Sequence, residues 1–303
     1  MTVAASLRRG LGEAARRPRL TLALYGINLL AAALLAAPMA ALLDAVLGRS
    51  VAAVDLAAQF RLEVLIDFLR GQEPALRQQY LMIGLGALVY AVVSTILSGG
   101  VIDGLKAPPR SPFLPRFLGG CGRHAFRFLR LLAYLAAALT VLRGLNLALD
   151  RLLLVLFQRT PHAAAAFWAM RGKQLLLLLL LLLLAAVFDL ARILAALEDR
   201  VHMIGALLTA GGFVARHAGA ILGLYLLLLL LGGALFVPYL LAAQAILPAA
   251  SIAALFVLQQ TVMLLRHWFR VAGYASLLAY YRGTTGATAP GEEERQPGAL
   301  PGA

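Results

Sequence analysis

Charge is scarce in this chain. Only 14% of its 303 residues are charged and 62% are hydrophobic. A water-soluble domain carries about 25% charged and about 45–50% apolar residues. The shortage excludes a soluble globular fold, because a surface of this size needs more polar cover. Cysteine is nearly absent. Cys121 stands alone, which rules out an intrachain disulfide and a thiolate metal cluster. Lysine is reduced to Lys106 and Lys173, beside 25 arginines. That usage, with so much Ala and Leu, is the signature of a GC-rich bacterial genome. The alternation of apolar and polar residues that marks a membrane β-strand is also missing.

Catalytic signatures are lacking too. The five histidines, His124, His162, His202, His217 and His267, fall in separate segments near expected water boundaries. None sits in HExxH or another metal spacing, and there is no nucleophile elbow, P-loop or glycine-rich dinucleotide turn. The glutamates of "GEEER", Gly291–Arg295, lie in a Gly/Pro-rich tail with no helix to aim them. The expectation is a protein that is not an enzyme and holds no cofactor and no metal.

What is present is long apolar runs. About 20 residues at 1.5 Å each cross a hydrocarbon slab of about 30 Å. Six such blocks occur: Leu20–Leu47, Tyr80–Leu105, Phe126–Leu147, Trp168–Leu190, Ala218–Ile246 and Ile252–Tyr274. The expected fold class is all-α, a polytopic six-helix transmembrane bundle with interfacial amphipathic helices. Residues 1–19 form a basic cytoplasmic N-terminal segment, 20–282 the six-span membrane domain, and 283–303 a disordered cytoplasmic tail. The apolar stretch after Arg19 exceeds a signal-peptide core, so it is expected to remain as a span.

The net charge of +13 would suggest nucleic acid in a soluble protein. Here the arginines flank spans, and no basic patch is interleaved with stacking aromatics, so nucleic acid is not an expected partner. With the N-terminus cytoplasmic, 18 of the Lys and Arg residues fall inside and 9 outside. The positive-inside rule therefore puts both termini in the cytoplasm, in a bacterial inner (cytoplasmic) membrane. Two amphipathic pieces lie between spans. Arg116, Arg123, Arg127 and Arg130 recur on one helical face, with Phe113, Phe117 and Phe128 elsewhere. They read either as an interfacial helix reaching lipid headgroups or as a basic loop that enforces topology, and Gly119, Gly120 and Gly122 weaken the helix. Outside, Leu56, Phe60, Val64 and Phe68 step by four, the pattern of a second surface helix.

"VIDGLK", 101–106, and "VFDLAR", 187–192, each close an even-numbered span. Residues three apart on a helix are neighbours, so Asp103 with Lys106 and Asp189 with Arg192 are expected to pair as helix-end ion pairs. A register starting at Trp168 puts Asp189 at the far interface; one starting at Leu175 puts it about 21 Å into the slab. A substrate or proton site at these pairs is the alternative. The stretches are 86 residues apart, and Tyr134 and Tyr225 in the following spans are 91 apart. Tyr25 is placed similarly in the first span. A repeating unit of basic surface helix, span, span and Asp-x-x-cation would explain this, with Arg266 and Arg270 in place of the Asp in the last span.

Arg143, Asn146 and Asp150 share a face of the third span, and Gln259 and Gln260 sit near mid-depth in the sixth. Arg143 needs a partner, Asp150 or Asp44. Hydrogen bonding between helices and a polar intramembrane cavity both remain open. Ser94, Ser98, Gly99 and Gly100 permit close helix approach, and Pro38 and Pro238 can kink their helices.

Three stretches carry a resemblance: "SLRRGLGEAARRPRLTLALYGINLLAAALLAAP", "SGGVIDGLKA…FLGGCGRHAFRFLRLLAYL" and "FDLARILAALEDR…ARHAGAILGLYLL". They are similar to uncharacterised bacterial multi-span membrane proteins resembling the membrane domain of glycerophosphoryl diester phosphodiesterases. The likeness implies a six-helix membrane domain and carries over no catalytic residue. The expected role is a membrane-embedded scaffold or accessory module contacting the lipid bilayer through anionic phospholipids, with a membrane protein or a second copy as partner. The alternative is a transporter or lipid-handling protein with a cavity lined by Arg143, Asp150, Gln259 and Gln260.

Overall fold

A computed structural model of the chain describes residues 1–47, 73–106, 112–157, 163–246 and 252–286. The expected outer surface helix around Leu56–Phe68, His162, "GEEER" and the tail beyond residue 286 lie outside the described residues. The described residues form eight α-helices and no strand: α1 Val3–Arg16, α2 Pro18–Leu47, α3 Glu73–Lys106, α4 Phe113–Phe157, α5 Ala163–Leu197, α6 Met203–Arg216, α7 Ala218–Ile246 and α8 Ile252–Thr285. Leu and Ala dominate them, and in hydrocarbon a helix satisfies every backbone N–H and C=O within itself.

Five helices are long and apolar enough to cross a membrane: those holding Pro18–Pro38, Tyr80–Lys106, Phe113–Phe157, Ala164–Leu197 and Ala218–Ala242. The chain is therefore a multi-helix membrane protein. Their most apolar windows are only 11–22% buried, so their side chains need hydrocarbon around them. The sixth expected span, in α8, is not among these five; it carries Gln259, Gln260, Arg266 and Arg270.

The helix boundaries revise several expectations. The N-terminal segment is a helix, α1, capped by Thr2, whose hydroxyl accepts from the Ala5 N–H at 3.4 Å. The amphipathic stretch after residue 112 is not a separate interfacial helix. It is the first third of the 45-residue α4, which runs unbroken through Gly119, Gly120 and Gly122. α2 and α7 likewise continue through Pro38 and Pro238. α8 extends past residue 282 to Thr285 and ends where Gly286, at φ 69°, closes it with an N–H bond to the Arg282 carbonyl. Only glycine takes that left-handed cap without a Cβ penalty.

Two compact units emerge: Ala23–Ser94, and the remainder. In the first, α2 and α3 meet at Gly86, where a Cβ would run into the Leu35 side chain. In the larger unit the buried residues collect at one end of the helices. Leu190–Ala196 of α5 are buried on every side, and α4, α6, α7 and α8 all pack on α5. α1 lies antiparallel along α8, with Gly10 against Ser276 and Met1 against Gly283. The first part of α4 crosses α3 closely. A Cβ at Gly99 would sit 2.8 Å from the Gly120 carbonyl oxygen, and one at Gly100 2.6 Å from that of Phe117. Both close crossings depend on glycine, since any side chain would push the helix axes apart.

α1 and the start of α2 share a local plan with α6 and the start of α7, 200 residues further on. α1 and α6 are each 14 residues, Val3–Arg16 and Met203–Arg216. Each is followed by one non-helical residue, Arg17 at φ −124° and His217 at φ −120°. The N–H groups of Arg17 and His217 bond to the Ala14 and Val214 carbonyls, both at 3.2 Å. Arg16, Leu24, Tyr25 and Pro38 recur as Arg216, Leu224, Tyr225 and Pro238. Ser6, Gly10 and Ala14 are buried, as are Ala206, Ala210 and Val214. Each surface helix seats on the second long helix of the preceding repeat: the start of α4 on α3, α6 on α5, and α1 on α8.

Candidate functional site

Both Asp-x-x-cation stretches lie where the larger unit is packed. In the first, Lys106 Nζ donates to Asp103 Oδ1 at 3.3 Å and to the Ala196 carbonyl, near the end of α5, at 2.6 Å. The last carbonyls of a helix have no partner within it, and a lysine is well suited to cap them. Asp103 Oδ1 also contacts His124 Nε2 at 3.2 Å. Asp103 and His124 are both buried. His124 stacks on Phe128, ring centroids 5.5 Å apart. With Nε2 as donor, Nδ1 is the ring's acceptor, and it is buried without a partner. This cluster joins α3, α4 and α5.

In the second, Arg192 Nη1 donates to Asp189 Oδ1 at 2.8 Å and to the Tyr274 hydroxyl at 3.4 Å, while Tyr225 donates to Asp189 Oδ2 at 3.0 Å. Arg192 is buried, and its Nε has no partner. This cluster joins α5, α7 and α8. The two clusters share a plan. A carboxylate takes its own helix's cation three residues on and a donor from the next long helix. The donor differs, an imidazole in one and a phenol in the other. Tyr134, the expected counterpart of Tyr225, is exposed on α4, and His124 takes its place.

Of the outer polar residues, Asn146 and Asp150 are joined through α5. Lys173 of α5 donates to Asn146 Oδ1 at 3.0 Å and pairs with Asp150 Oδ1. Asp150 is thus held by Lys173 rather than by Arg143. Arg143 is exposed and makes no ion pair among the described residues, and Asp44 is exposed. Gln259 is exposed and Gln260 half-buried on α8; none of the described hydrogen bonds joins Gln259 to the α4 group. Spacing along one helix brings Arg143 and Asp150 together, but α5 offers Lys173 a shorter reach.

Of the four arginines expected to meet headgroups, Arg116, Arg123 and Arg130 are exposed, the last lying over the Phe126 ring at 4.6 Å. Arg127 is instead half-buried and paired with Asp199 in the α5–α6 connection. Asp199 adopts φ 49°, a left-handed conformation that Asp tolerates better than most side chains. Its bond to Arg127, and the nearby guanidinium charge, hold its carboxyl below the usual range. His124 and His267 are buried. Among the described residues no three His, Cys, Asp or Glu side chains come together to hold a metal ion.

The residues missed by linear reading are His124 at Asp103 and Tyr274 at Arg192. Nothing in their local sequence marks them, since both act across helices. No protein-family model, curated protein or solved structure matches this chain.

Proposed function

We propose that the chain is a six-crossing protein of the bacterial inner membrane, with both termini cytoplasmic. It acts as a non-catalytic scaffold or accessory module that holds anionic lipid at its cytoplasmic face. The observation that carries this is local pairing. Asp103, Asp189 and Asp150 each bind a cation of their own or the adjacent helix, which is how helices are fastened together rather than how a solute pathway is lined. α1 along the end of α8 supports both termini on one face, and hence an even number of crossings with α8 as the sixth. From Arg130 to Asp150 is about 30 Å along α4, and from Asp189 to Lys173 about 24 Å along α5. A slab between those levels favours the register that puts Asp189 at the inner interface. Exposed Arg116, Arg123 and Arg130 then sit at the cytoplasmic headgroups. The resemblance to phosphodiesterase membrane domains fits this role, as does a membrane protein or a second copy as partner.

The test is reconstitution in vesicles of neutral lipid with and without phosphatidylglycerol. Replacing Arg116, Arg123 and Arg130 by Gln should weaken retention of the anionic lipid by about 1 kcal/mol per arginine. Unchanged retention would remove the lipid role. The transporter reading is tested in the same vesicles: solute or lipid flux lost in Arg143→Ala would revive it against the scaffold.

A further inference from the structure

The repeat allows two copies of one surface helix to be compared position by position. α1 exposes Ala4, Arg8, Arg9, Gly12, Ala15 and Arg16. α6 exposes Ile204, Leu208, Thr209, Gly212, Ala215 and Arg216, the same six positions shifted by 200. Three are identical in kind: Gly12 and Gly212, Ala15 and Ala215, Arg16 and Arg216. The other three have diverged in one direction, from Ala4, Arg8 and Arg9 to Ile204, Leu208 and Thr209. The buried faces differ as well: Ser6, Gly10 and Ala14 of α1 correspond to Ala206, Ala210 and Val214 of α6, which also buries Met203 and Phe213. On the face that the rest of the chain does not touch, the change runs from basic to uncharged and largely apolar side chains.

That face of α6 is apolar. Ile204 is 60% exposed, Leu208 72%, and Val201, in the connection just before the helix, 59%. An exposed patch of this kind needs a cover. Together the three side chains offer on the order of 300 Å², against about 800 Å² per partner in a stable protein interface. A second protein is poorly served by so small a patch, whereas a bilayer needs no complementary shape. The helix is also tethered where lipid is nearest, since only His217 separates it from the membrane helix α7. Arg200 and Arg216 bracket the patch in sequence, as cations do on helices seated at anionic headgroups.

We infer that α6 is a lipid-seated wedge. Ile204 and Leu208 enter the acyl boundary of the cytoplasmic leaflet, while the same positions of α1, Ala4 and Arg8, remain in water or at the headgroup surface. Two copies of one helix thus divide the contact with the leaflet: α1 meets it by charge and α6 by insertion. This rests on the membrane reading above but not on its anionic-lipid part.

Single cysteines at positions 4, 8, 204 and 208 test it, because Cys121 is buried and does not compete for label. Each variant of the full chain is labelled with an environment-sensitive fluorophore and reconstituted with doxyl-labelled phosphatidylcholine as quencher. One set of vesicles is neutral and one contains phosphatidylglycerol. The expected result is loss of fluorescence at 204 and 208, and little at 4 and 8, in both mixtures. Equal quenching at all four positions would overturn the inference, as would cross-linking of 204 or 208 to a second copy. Quenching at 204 and 208 that survives in neutral vesicles, beside arginine variants that retain lipid normally, would leave the wedge standing and remove the anionic-headgroup role. Leu208→Arg, which restores the α1 residue at an exposed position, should lower quenching at 204 without changing stability in detergent. Unchanged quenching in this variant would count against Leu208 as an anchor.

Discussion

A buried carboxylate, Asp103, and a half-buried one, Asp189, fasten the packed end of this protein, and their cost depends on company. Asp189 offsets the charge of Arg192, which is nearly enclosed and already has one nitrogen without a partner. Removing one member of such a buried pair leaves an uncompensated charge, typically a loss of about 3–5 kcal/mol. Asp189→Ala should therefore lower thermal stability in detergent by roughly that amount. Asp189→Ala with Arg192→Met should recover part of it, since the orphan charge goes too. No recovery in the double variant would mean that Tyr225 and Tyr274, rather than the ion pair, hold α7 and α8 on α5. Asp199 is different, because it is exposed and bound to Arg127. Its lowered carboxyl pKa means that the contact contributes above the ordinary Asp range. It is lost as pH falls through the lowered folded value. Hydrogen exchange in residues 198–202 should rise on acidification below the usual Asp pKa of about 3.9. Arg127→Gln should already exchange fast at neutral pH.

At the scale of elements, glycine decides which helices touch. Gly10 lies so close to Ser276 that a Cβ would meet the Ser276 backbone nitrogen at 2.5 Å. Gly10→Val should unseat α1 from α8 and expose the Arg16–Arg17 junction to trypsin. Gly12→Val, on the open face of the same helix, should not. Gly120→Val should separate α4 from α3 in the same way, because its Cβ would strike Asp103; the His124–Asp103 contact would go with it. The long helices themselves were legible from apolar run length, and both ion pairs from a spacing of three. The glycines were legible only as small residues. Gly119, Gly120 and Gly122 look alike in sequence, yet a Cβ at Gly120 alone among them would meet another helix.

For the molecule as a whole, the pairing of α1 with α8 constrains topology. Cysteines placed at Met1 and at Gly286 should be labelled by a membrane-impermeant maleimide from the same side, the cytoplasmic one. Labelling from opposite sides would leave five crossings, in line with the five helices that meet the length and apolarity needed. The repeat matters here as well. α8 follows α7 as α3 follows α2, so the arginines that depress its hydropathy sit in a helix whose neighbours already tie it to the bundle.

Composition and run length alone determined that this chain is helical and belongs in a membrane, because a hydrocarbon slab admits few backbone solutions and scarce charge leaves few ways to face water. They also determined which cation stands three residues from each aspartate, a matter of helix geometry within one segment. Tertiary structure alone decided that Lys173 takes Asp150 from Arg143, that His124 stands where a tyrosine was expected, and that the 200-residue repeat runs through helices sharing few identical side chains. Those outcomes turn on which helices approach across hundreds of residues. Leucine and alanine, interchangeable toward lipid, carry almost no record of that in their order.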